Sequence, residues 1–187
     1  MNDETKSIYS LLQDIFKNVW EQQKYSEVKN GVLLTLNIAI FTVIVRVYFN
    51  IANIVNSDIL YKSIFYVLIL LFILHIVCIL QSFFPKDSNK EDFKLSTDQI
   101  NIFFFGDIQK LKSEKYVDLV IEKTNENADI DKIPLLDLSN QIVKLSEITQ
   151  AKYSSFKESI FRMYILGFFF VVYFTCIFFK CNLGVSI

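Results

Sequence analysis

The sequence predicts a mainly α-helical membrane protein with three transmembrane helices, an N-terminal amphipathic helix and a small, largely helical cytoplasmic domain continuous with the last span. Three long apolar runs predict the spans, because about 20 apolar residues cross a hydrocarbon core about 30 Å thick. The 187 residues are 52% hydrophobic, and only 4 Gly and 2 Pro interrupt them, which favours long helices. The predicted division is 1–30 for the amphipathic cytoplasmic helix, 31–84 for a two-helix transmembrane hairpin, 85–162 for the cytoplasmic helical sensor domain and 163–180 for the third span.

The N-terminal helix is predicted from apolar residues that recur every three or four positions after Ser7. They are Ile8, Leu11, Leu12, Ile15, Phe16, Val19 and Trp20. This apolar face needs a partner. The helical domain is favoured over the membrane surface, because the polar face carries few Lys and Arg residues.

The first two spans carry three polar side chains that need an explanation. Gly31–Phe49 contains Asn37 near its middle, where an interhelical hydrogen bond would offset the cost of burying the amide. Arg46 lies close enough to the end of this run to extend its guanidinium to the head groups, although an arginine in lipid can also mark a functional site. His75 in the second span, Ser63–Leu80, is either a packing and hydrogen-bonding residue or a proton relay.

The third span, Met163–Phe179, is predicted to be the upper half of a much longer helix. Between Asp137 and Lys180 there is no proline and Gly167 is the only glycine, so nothing stops a helix that begins with Asp137 as its cap. Lys152 lies on the apolar stripe of this helix, among Ile142, Leu145 and Phe156. A polar residue on that stripe suggests a ligand contact.

Charge predicts the topology. The connection from Asn50 to Tyr61 contains no Lys or Arg, whereas the segment from Pro85 to Arg162 contains many. Because basic loops stay inside, the N-terminus and the central domain are predicted to be cytoplasmic, and the short loop and the C-terminus external. Lys180 is the exception to this rule.

The residues predict no catalytic chemistry. There is no nucleophile elbow and no P-loop, His75 is the only histidine, and Cys78, Cys176 and Cys181 lack the spacing of a zinc or disulfide framework. The net charge of −1 gives no basic face for nucleic acid. We therefore expect no enzyme, no metal and no cofactor.

Several segments together resemble the transmembrane effectors of Pycsar antiphage defence. They are Lys29-Asn30 before a span with Asn37, Phe83-Phe84-Pro85, the run from Asn101 to Ile108 with its Phe-Phe-Phe-Gly-Asp-Ile sequence, Asp137-Leu-Ser-Asn-Gln-Ile and Lys152-Tyr153. The resemblance implies a bacterial inner-membrane protein, paired with a pyrimidine nucleotide cyclase, that responds to cyclic UMP or cyclic CMP by impairing the membrane and arresting the host. The alternative is a non-enzymatic membrane scaffold or assembly protein whose cytoplasmic domain binds a protein, and a neighbouring cyclase gene would distinguish the two.

A cyclic pyrimidine nucleotide would need an aromatic platform for its base, an acceptor for the ribose hydroxyl and a cation for its phosphate. The candidates are Phe103, Phe104 or Phe105 for stacking, Asp107 or Asp137 for the hydroxyl, Lys110 or Lys152 for the phosphate, and Asn140 and Gln141 for the base edge. The competing interpretation is that the Phe run is core, Asp137 only a helix cap and Gly106 only a turn. Because three helices enclose no aqueous channel, we also expect a homo-oligomer.

Overall fold

The computed structural model describes residues 3–55, 58–84, 100–124 and 130–183. Within these ranges the chain forms five helices and no strand, and the helices are α1 (Asp3–Val55), α2 (Ile59–Gln81), α3 (Phe105–Ile108), α4 (Ser113–Thr124) and α5 (Ile133–Leu183). Three of them, α1, α2 and α5, are long and apolar enough to cross a membrane. The predicted fold class, a helical membrane protein with three spans, is confirmed.

The two longest helices each combine a predicted polar part and a predicted span. α1 has 53 residues and α5 has 51, and neither is broken where the sequence changes from polar to apolar. In α1 the helix continues through Gly31, a residue that costs helix stability but does not by itself end a helix. The predicted amphipathic helix and the first span are therefore one element.

The start of α5 corrects the prediction that Asp137 caps the long helix. The helix begins at Ile133, and Asp131 Oδ1 accepts a hydrogen bond of 3.2 Å from the Ile133 backbone N–H. Pro134 fits the first turn, because its missing N–H would have no partner there. Asp137 lies one turn further on and is exposed, so it does not cap the helix.

The chain divides into two compact units, and helices α1 and α5 contribute to both. We call Met1–Val28 with Pro85–Ser154 the head unit, and Lys29–Phe84 with Ser155–Ile187 the membrane unit. Each unit has its own hydrophobic core.

The core of the head unit joins α1, the segment from Ile100 to Leu111, α4 and the first turns of α5. Its buried members include the predicted apolar face of α1, namely Ile8, Leu12, Ile15 and Val19, together with Ile108, Tyr116, Val120, Leu135 and Ile142. Tyr116 is fully buried, and its hydroxyl donates a hydrogen bond of 2.9 Å to the Ile102 carbonyl. Burial raises the pKa of Tyr116, so the hydroxyl stays protonated and remains a donor.

The core of the membrane unit is built largely from aromatic rings on all three spans. Tyr48 of α1 stacks on Phe65 of α2 with ring centroids 3.8 Å apart, and Phe72 of α2 meets Phe170 of α5 edge-on at 5.9 Å. Many apolar side chains of these helices, such as Phe168 and Val171, face outward. An exposed apolar surface on a helical bundle is what contact with lipid requires.

The three polar residues of the spans have different environments. Asn37 is fully buried; its side-chain N–H₂ donates to the Leu33 carbonyl at 2.8 Å and approaches the Met163 sulfur of α5 at 3.7 Å. Arg46 is exposed. His75 is only 3% exposed, and within the described part of the chain neither of its ring nitrogens has a hydrogen-bond partner.

Lys180, the exception to the charge rule, is paired. Its ammonium lies 2.7 Å from the Asp58 carboxylate and 4.7 Å from the centre of the Tyr61 ring. Asp58 also accepts a hydrogen bond of 3.0 Å from the Leu60 backbone N–H and so caps α2. The Lys180 hydrogen bond, followed by the one from Leu60, holds the pKa of Asp58 below its ordinary value of 3.8.

Replacing Lys180 tests this pair. Lys180→Met should lower the thermal midpoint of the detergent-solubilised protein by about 2 °C at pH 7, since a partly exposed ion pair stabilises only modestly. A carboxylate whose pKa is depressed stabilises the fold above its unfolded pKa. The difference in thermal midpoint between Lys180→Met and the parent should therefore become smaller as the pH falls from 3.8 through the lower pKa of folded Asp58. Lys180→Arg is the control that keeps the charge, and a difference independent of pH would show that the ion pair contributes nothing.

Removing the Tyr116 hydroxyl tests the link between α4 and the segment before α3. Tyr116→Phe leaves the Ile102 carbonyl without its donor and should lower the local stability of α4 by about 1 kcal/mol. Native-state hydrogen exchange of the α4 amides measures this local stability. Tyr164→Phe, at a residue that is 69% exposed, removes a hydroxyl without this effect. Equal exchange in the two variants would contradict the assignment.

Candidate functional site

The head unit presents an ordered non-helical turn from Asn101 to Phe104, immediately before α3. Asn101 organises it twice: its side-chain oxygen accepts from the Phe103 backbone N–H at 2.9 Å, and its own backbone N–H donates to Asp107 Oδ2 at 3.2 Å. Such a bond from Asn to the backbone two residues on is the usual way in which Asn forms a turn. The turn therefore has a defined conformation.

Two of the predicted ligand residues form a salt bridge with each other. Lys110 Nζ lies 2.8 Å from Asp107 Oδ1, and the two side chains are 33% and 20% exposed. The hydrogen bond from Lys110, opposed by burial and assisted by the Asn101 backbone N–H, keeps the pKa of Asp107 below its ordinary value. Asp107 is thus an ionised acceptor that already has partners.

The three consecutive phenylalanines have different roles. Phe103 and Phe104 are 50% and 48% exposed, whereas Phe105 is partly buried against the core. The Phe105 ring stacks on Tyr153 of α5 with centroids 5.4 Å apart and planes 19° from parallel. At Gly106 an added Cβ would lie 2.5 Å from Phe104 Cε1, so the glycine leaves room for the Phe104 ring.

Lys152, the predicted phosphate ligand on α5, is buried and forms an ion pair with Glu27 of α1. Its neighbour Tyr153 donates a hydrogen bond of 3.2 Å from its hydroxyl to Gln22 Oε1. Burial raises the pKa of Tyr153, and Tyr25 adds to the shift. Lys152 and Tyr153 thus connect α5 to α1 within the head unit.

The other predicted site residues remain apart from this group. Asp137, Asn140 and Gln141 are exposed on α5, and in the described part of the chain none of them makes a hydrogen bond or ion pair with the turn or with α3. The structure therefore brings Phe104 and Phe105 together with Tyr153, and Asp107 together with Lys110. It does not assemble all the predicted residues around one point.

A cleft of about 520 Å³ lies on the Phe103 side of the turn. Its lining includes Asn101, Phe103, Lys123 and Thr124, with Leu11 and Ile100 as the apolar part. The Lys123 ammonium donates to the Ile100 carbonyl at 2.6 Å, which places a positive charge at the cleft. Pockets of this volume suit small-molecule ligands.

Sequence reasoning missed Lys123, Asn101 and Glu27 as individual contributors. Lys123 lies in the last turn of α4, where a basic residue is expected to interact favourably with the helix dipole. Its hydrogen bond to the Ile100 carbonyl was therefore not evident from the sequence. The Asn101 turn could have been found, because Asn two residues before Phe103 is a local signal. The pairing of Glu27 with Lys152 spans most of the chain and leaves no local signal.

The family comparison covers both units of the chain. The Pycsar effector protein domain (PycTM) matches residues 11–179, which is well over half of the sequence. Comparisons with curated proteins and with solved structures give no match. The match includes all three apolar helices and every residue that lines the cleft. The chain belongs to the Pycsar effector proteins, the membrane effectors of antiphage defence.

Proposed function

We propose that this effector binds a cyclic pyrimidine mononucleotide, cyclic UMP or cyclic CMP, in its head unit and responds by impairing the integrity of the inner membrane, which arrests the infected host. The observation that carries the proposal is the match to the Pycsar effector domain, because it spans both the cleft residues and the three apolar helices. The family implies a cyclase as functional partner and a cyclic pyrimidine nucleotide as signal. The effector itself performs no catalysis.

The cleft offers the groups that such a nucleotide needs. The half-exposed Phe103 ring provides a stacking surface for the base. Only one of the three ammonium donors of Lys123 is used by the Ile100 carbonyl, so the others are available for the phosphate. The Asn101 side-chain oxygen is engaged in the turn, whereas its N–H₂ makes no hydrogen bond among the described residues and can donate to the base edge.

The residues predicted from the sequence, apart from Phe103, give a competing placement. In it the base stacks on Phe104 or Phe105, Asp107, Asp137, Asn140 or Gln141 bind the ribose and base, and Lys110 or Lys152 binds the phosphate. The stack of Phe105 on Tyr153 favours it, because Lys152 is the next residue along α5. Each of the two lysines already has a carboxylate partner, however, so a phosphate would have to displace Asp107 or Glu27. Lys123 carries no such competitor among the described residues.

The proposed topology places the N-terminus and the head unit in the cytoplasm and the connection between α1 and α2 outside. The lack of basic residues in that connection supports it. A cytoplasmic head unit also meets a nucleotide made by a cytoplasmic cyclase. Three spans alone form no channel, so membrane damage requires several protomers or a rearrangement that perturbs lipid.

Cysteine labelling tests the topology. In a background with Cys78, Cys176 and Cys181 replaced by Ala, a membrane-impermeant maleimide should label Asn56→Cys in intact cells and leave Glu122→Cys unlabelled until the cells are broken. Glu122 is exposed on α4, whereas Asn56 lies outside the described residues. Labelling of Glu122→Cys in unbroken cells would overturn the proposed orientation.

Calorimetric titration tests the cleft. Phe103→Ala and Lys123→Met should each weaken binding of cyclic UMP or cyclic CMP to the solubilised protein by about tenfold, because a stacked base or a charge-assisted hydrogen bond is lost. Cyclic AMP and cyclic GMP are the ligand controls. Phe104→Ala removes a ring of similar exposure from the same turn, and Lys115→Met removes an exposed charge from α4; both should bind like the parent.

The competing placement predicts the opposite pattern. There, Phe104→Ala and Lys152→Ala weaken binding while Phe103→Ala does not. Glu27→Gln then strengthens binding, since it releases the Lys152 ammonium from its carboxylate partner. If Glu27→Gln and Lys152→Ala are equally harmful to folding and neither alters affinity, Lys152 serves only to hold α5 to α1. If the parent protein itself binds none of the four cyclic nucleotides, the nucleotide proposal is refuted.

A further inference from the structure

The membrane unit contains a groove of about 410 Å³ between α2 and α5. Most of its lining is apolar and includes Leu71, Leu74, Ile165 and Phe169. Two nitrogen-bearing side chains, His75 of α2 and Arg162 of α5, also line it. The groove is therefore amphipathic, with basic groups beside a surface that suits hydrocarbon.

His75 is the first observation that indicates a ligand. Its side chain is more than nine-tenths buried, and both ring nitrogens lack a hydrogen-bond partner in the described structure. A buried polar group without a partner is costly, particularly where no water is available to satisfy it. An occupant with an oxygen acceptor in the groove would satisfy the ring nitrogen that carries the hydrogen, and a hydroxyl group of the same occupant could donate to the other.

Arg162 is the second observation. One of its guanidinium nitrogens lies 2.9 Å from Glu158, an exposed residue one turn earlier, which leaves most of its N–H donors for another partner. None of the described residues that line the groove is acidic. Although Glu158 pairs with Arg162 from outside the lining, the remaining guanidinium N–H groups face no carboxylate among the described residues of the groove, and they suit an anionic occupant.

The depth of these residues matches that of a lipid head group. Arg162 immediately precedes the apolar run Met163–Phe179, so it lies at the boundary of the hydrocarbon core. His75 lies six residues before Gln81, the last residue of α2, a rise of about 9 Å along the helix. Phe169 lies two turns beyond Arg162, toward the middle of the span.

From these contacts we propose that the groove between α2 and α5 binds an anionic glycerophospholipid, with its phosphodiester held by Arg162 and His75 and an acyl chain lying on Leu71, Leu74 and Phe169. The apolar lining favours a lipid over a free phosphate, which would leave that surface uncovered. Phosphatidylglycerol is favoured over phosphatidylethanolamine, because the described residues of the lining include no carboxylate and an ammonium would have to compete with Arg162 for Glu158.

Native mass spectrometry of the full-length protein released from nanodiscs tests the site. With equal amounts of phosphatidylglycerol and phosphatidylcholine, the parent protein should retain phosphatidylglycerol preferentially. Arg162→Met and His75→Leu should each lower its retention roughly tenfold, because each removes a hydrogen bond to the phosphate. Ile165→Trp, which fills the groove and keeps both basic residues, should lower retention as well.

The matched control is Lys157→Met, which removes an exposed positive charge from α5 within two turns of Arg162 but outside the groove. It should retain lipid like the parent. Each variant is accepted only if its circular dichroism matches that of the parent. Where Arg162→Met fails this check, Arg162→Gln, which keeps a polar side chain but removes the charge, takes its place and should lower lipid retention in the same way.

Three results would overturn the proposal. The first is a failure of lipid selectivity, seen either as equal retention of the two lipids by the parent protein or as unchanged phosphatidylglycerol retention in both Arg162→Met and Ile165→Trp. The second is a change of oligomer mass in these variants without loss of lipid, since a second copy of the chain would then occupy the groove. The third is release of the lipid by soluble glycerol phosphate or cyclic UMP at millimolar concentration, which would assign the phosphate to a soluble ligand.

Discussion

The fold depends on one constraint: backbone N–H and C=O groups that cross a bilayer must find their partners within the chain. This constraint explains why the three spans are unbroken helices and why several of their threonine hydroxyl groups bond to carbonyls of their own helix. Thr42 donates to the Ile38 carbonyl at 2.9 Å, and Thr175 donates to the Val171 carbonyl at 2.7 Å. The buried amide of Asn37 does the same with Leu33. Among the described residues of the spans, the buried atoms without a hydrogen-bond partner are the side-chain oxygen of Asn37 and both ring nitrogens of His75.

The head unit meets the same requirement by other means. The backbone before α3 is not helical, and two of its carbonyls are satisfied by long side chains of α4, the Tyr116 hydroxyl and the Lys123 ammonium. Because these bonds hold the segment against α4 from one side, the Phe103 ring remains outside the core. The cleft is therefore a direct result of the way in which a short irregular segment is stabilised. The aromatic group of the cleft is the Phe103 ring of this segment, and its basic group is the Lys123 ammonium that bonds to the segment.

Local patterns predicted the spans and the apolar face of α1, since hydropathy and a three-to-four spacing depend only on neighbouring residues. The predicted start of α5 was wrong by five residues, because Asp is a frequent capping residue and the prediction places the cap at Asp137, whereas the helix begins at Ile133 beside Asp131 and Pro134. The candidate site could be predicted only in part. Asp107 and Lys110 are one helical turn apart and could be paired from sequence, but Glu27 with Lys152 and Phe105 with Tyr153 are tertiary contacts between distant segments. No periodicity encodes such contacts.

The absence of a side chain at Gly106 and the position of the Phe104 ring depend on each other. An added methyl group there would lie 2.5 Å from Phe104 Cε1 and 2.9 Å from Phe104 Cζ. Both atoms are at the far end of a side chain that can rotate. A larger residue at position 106 is therefore compatible with the fold only if the ring at position 104 turns away. Because Phe104 also lies 4.9 Å from Phe105, centroid to centroid, the rotation would disturb the ring that stacks on Tyr153. Gly106 of α3 thus leaves room for the observed orientation of two aromatic rings and, through them, for the contact of α3 with α5.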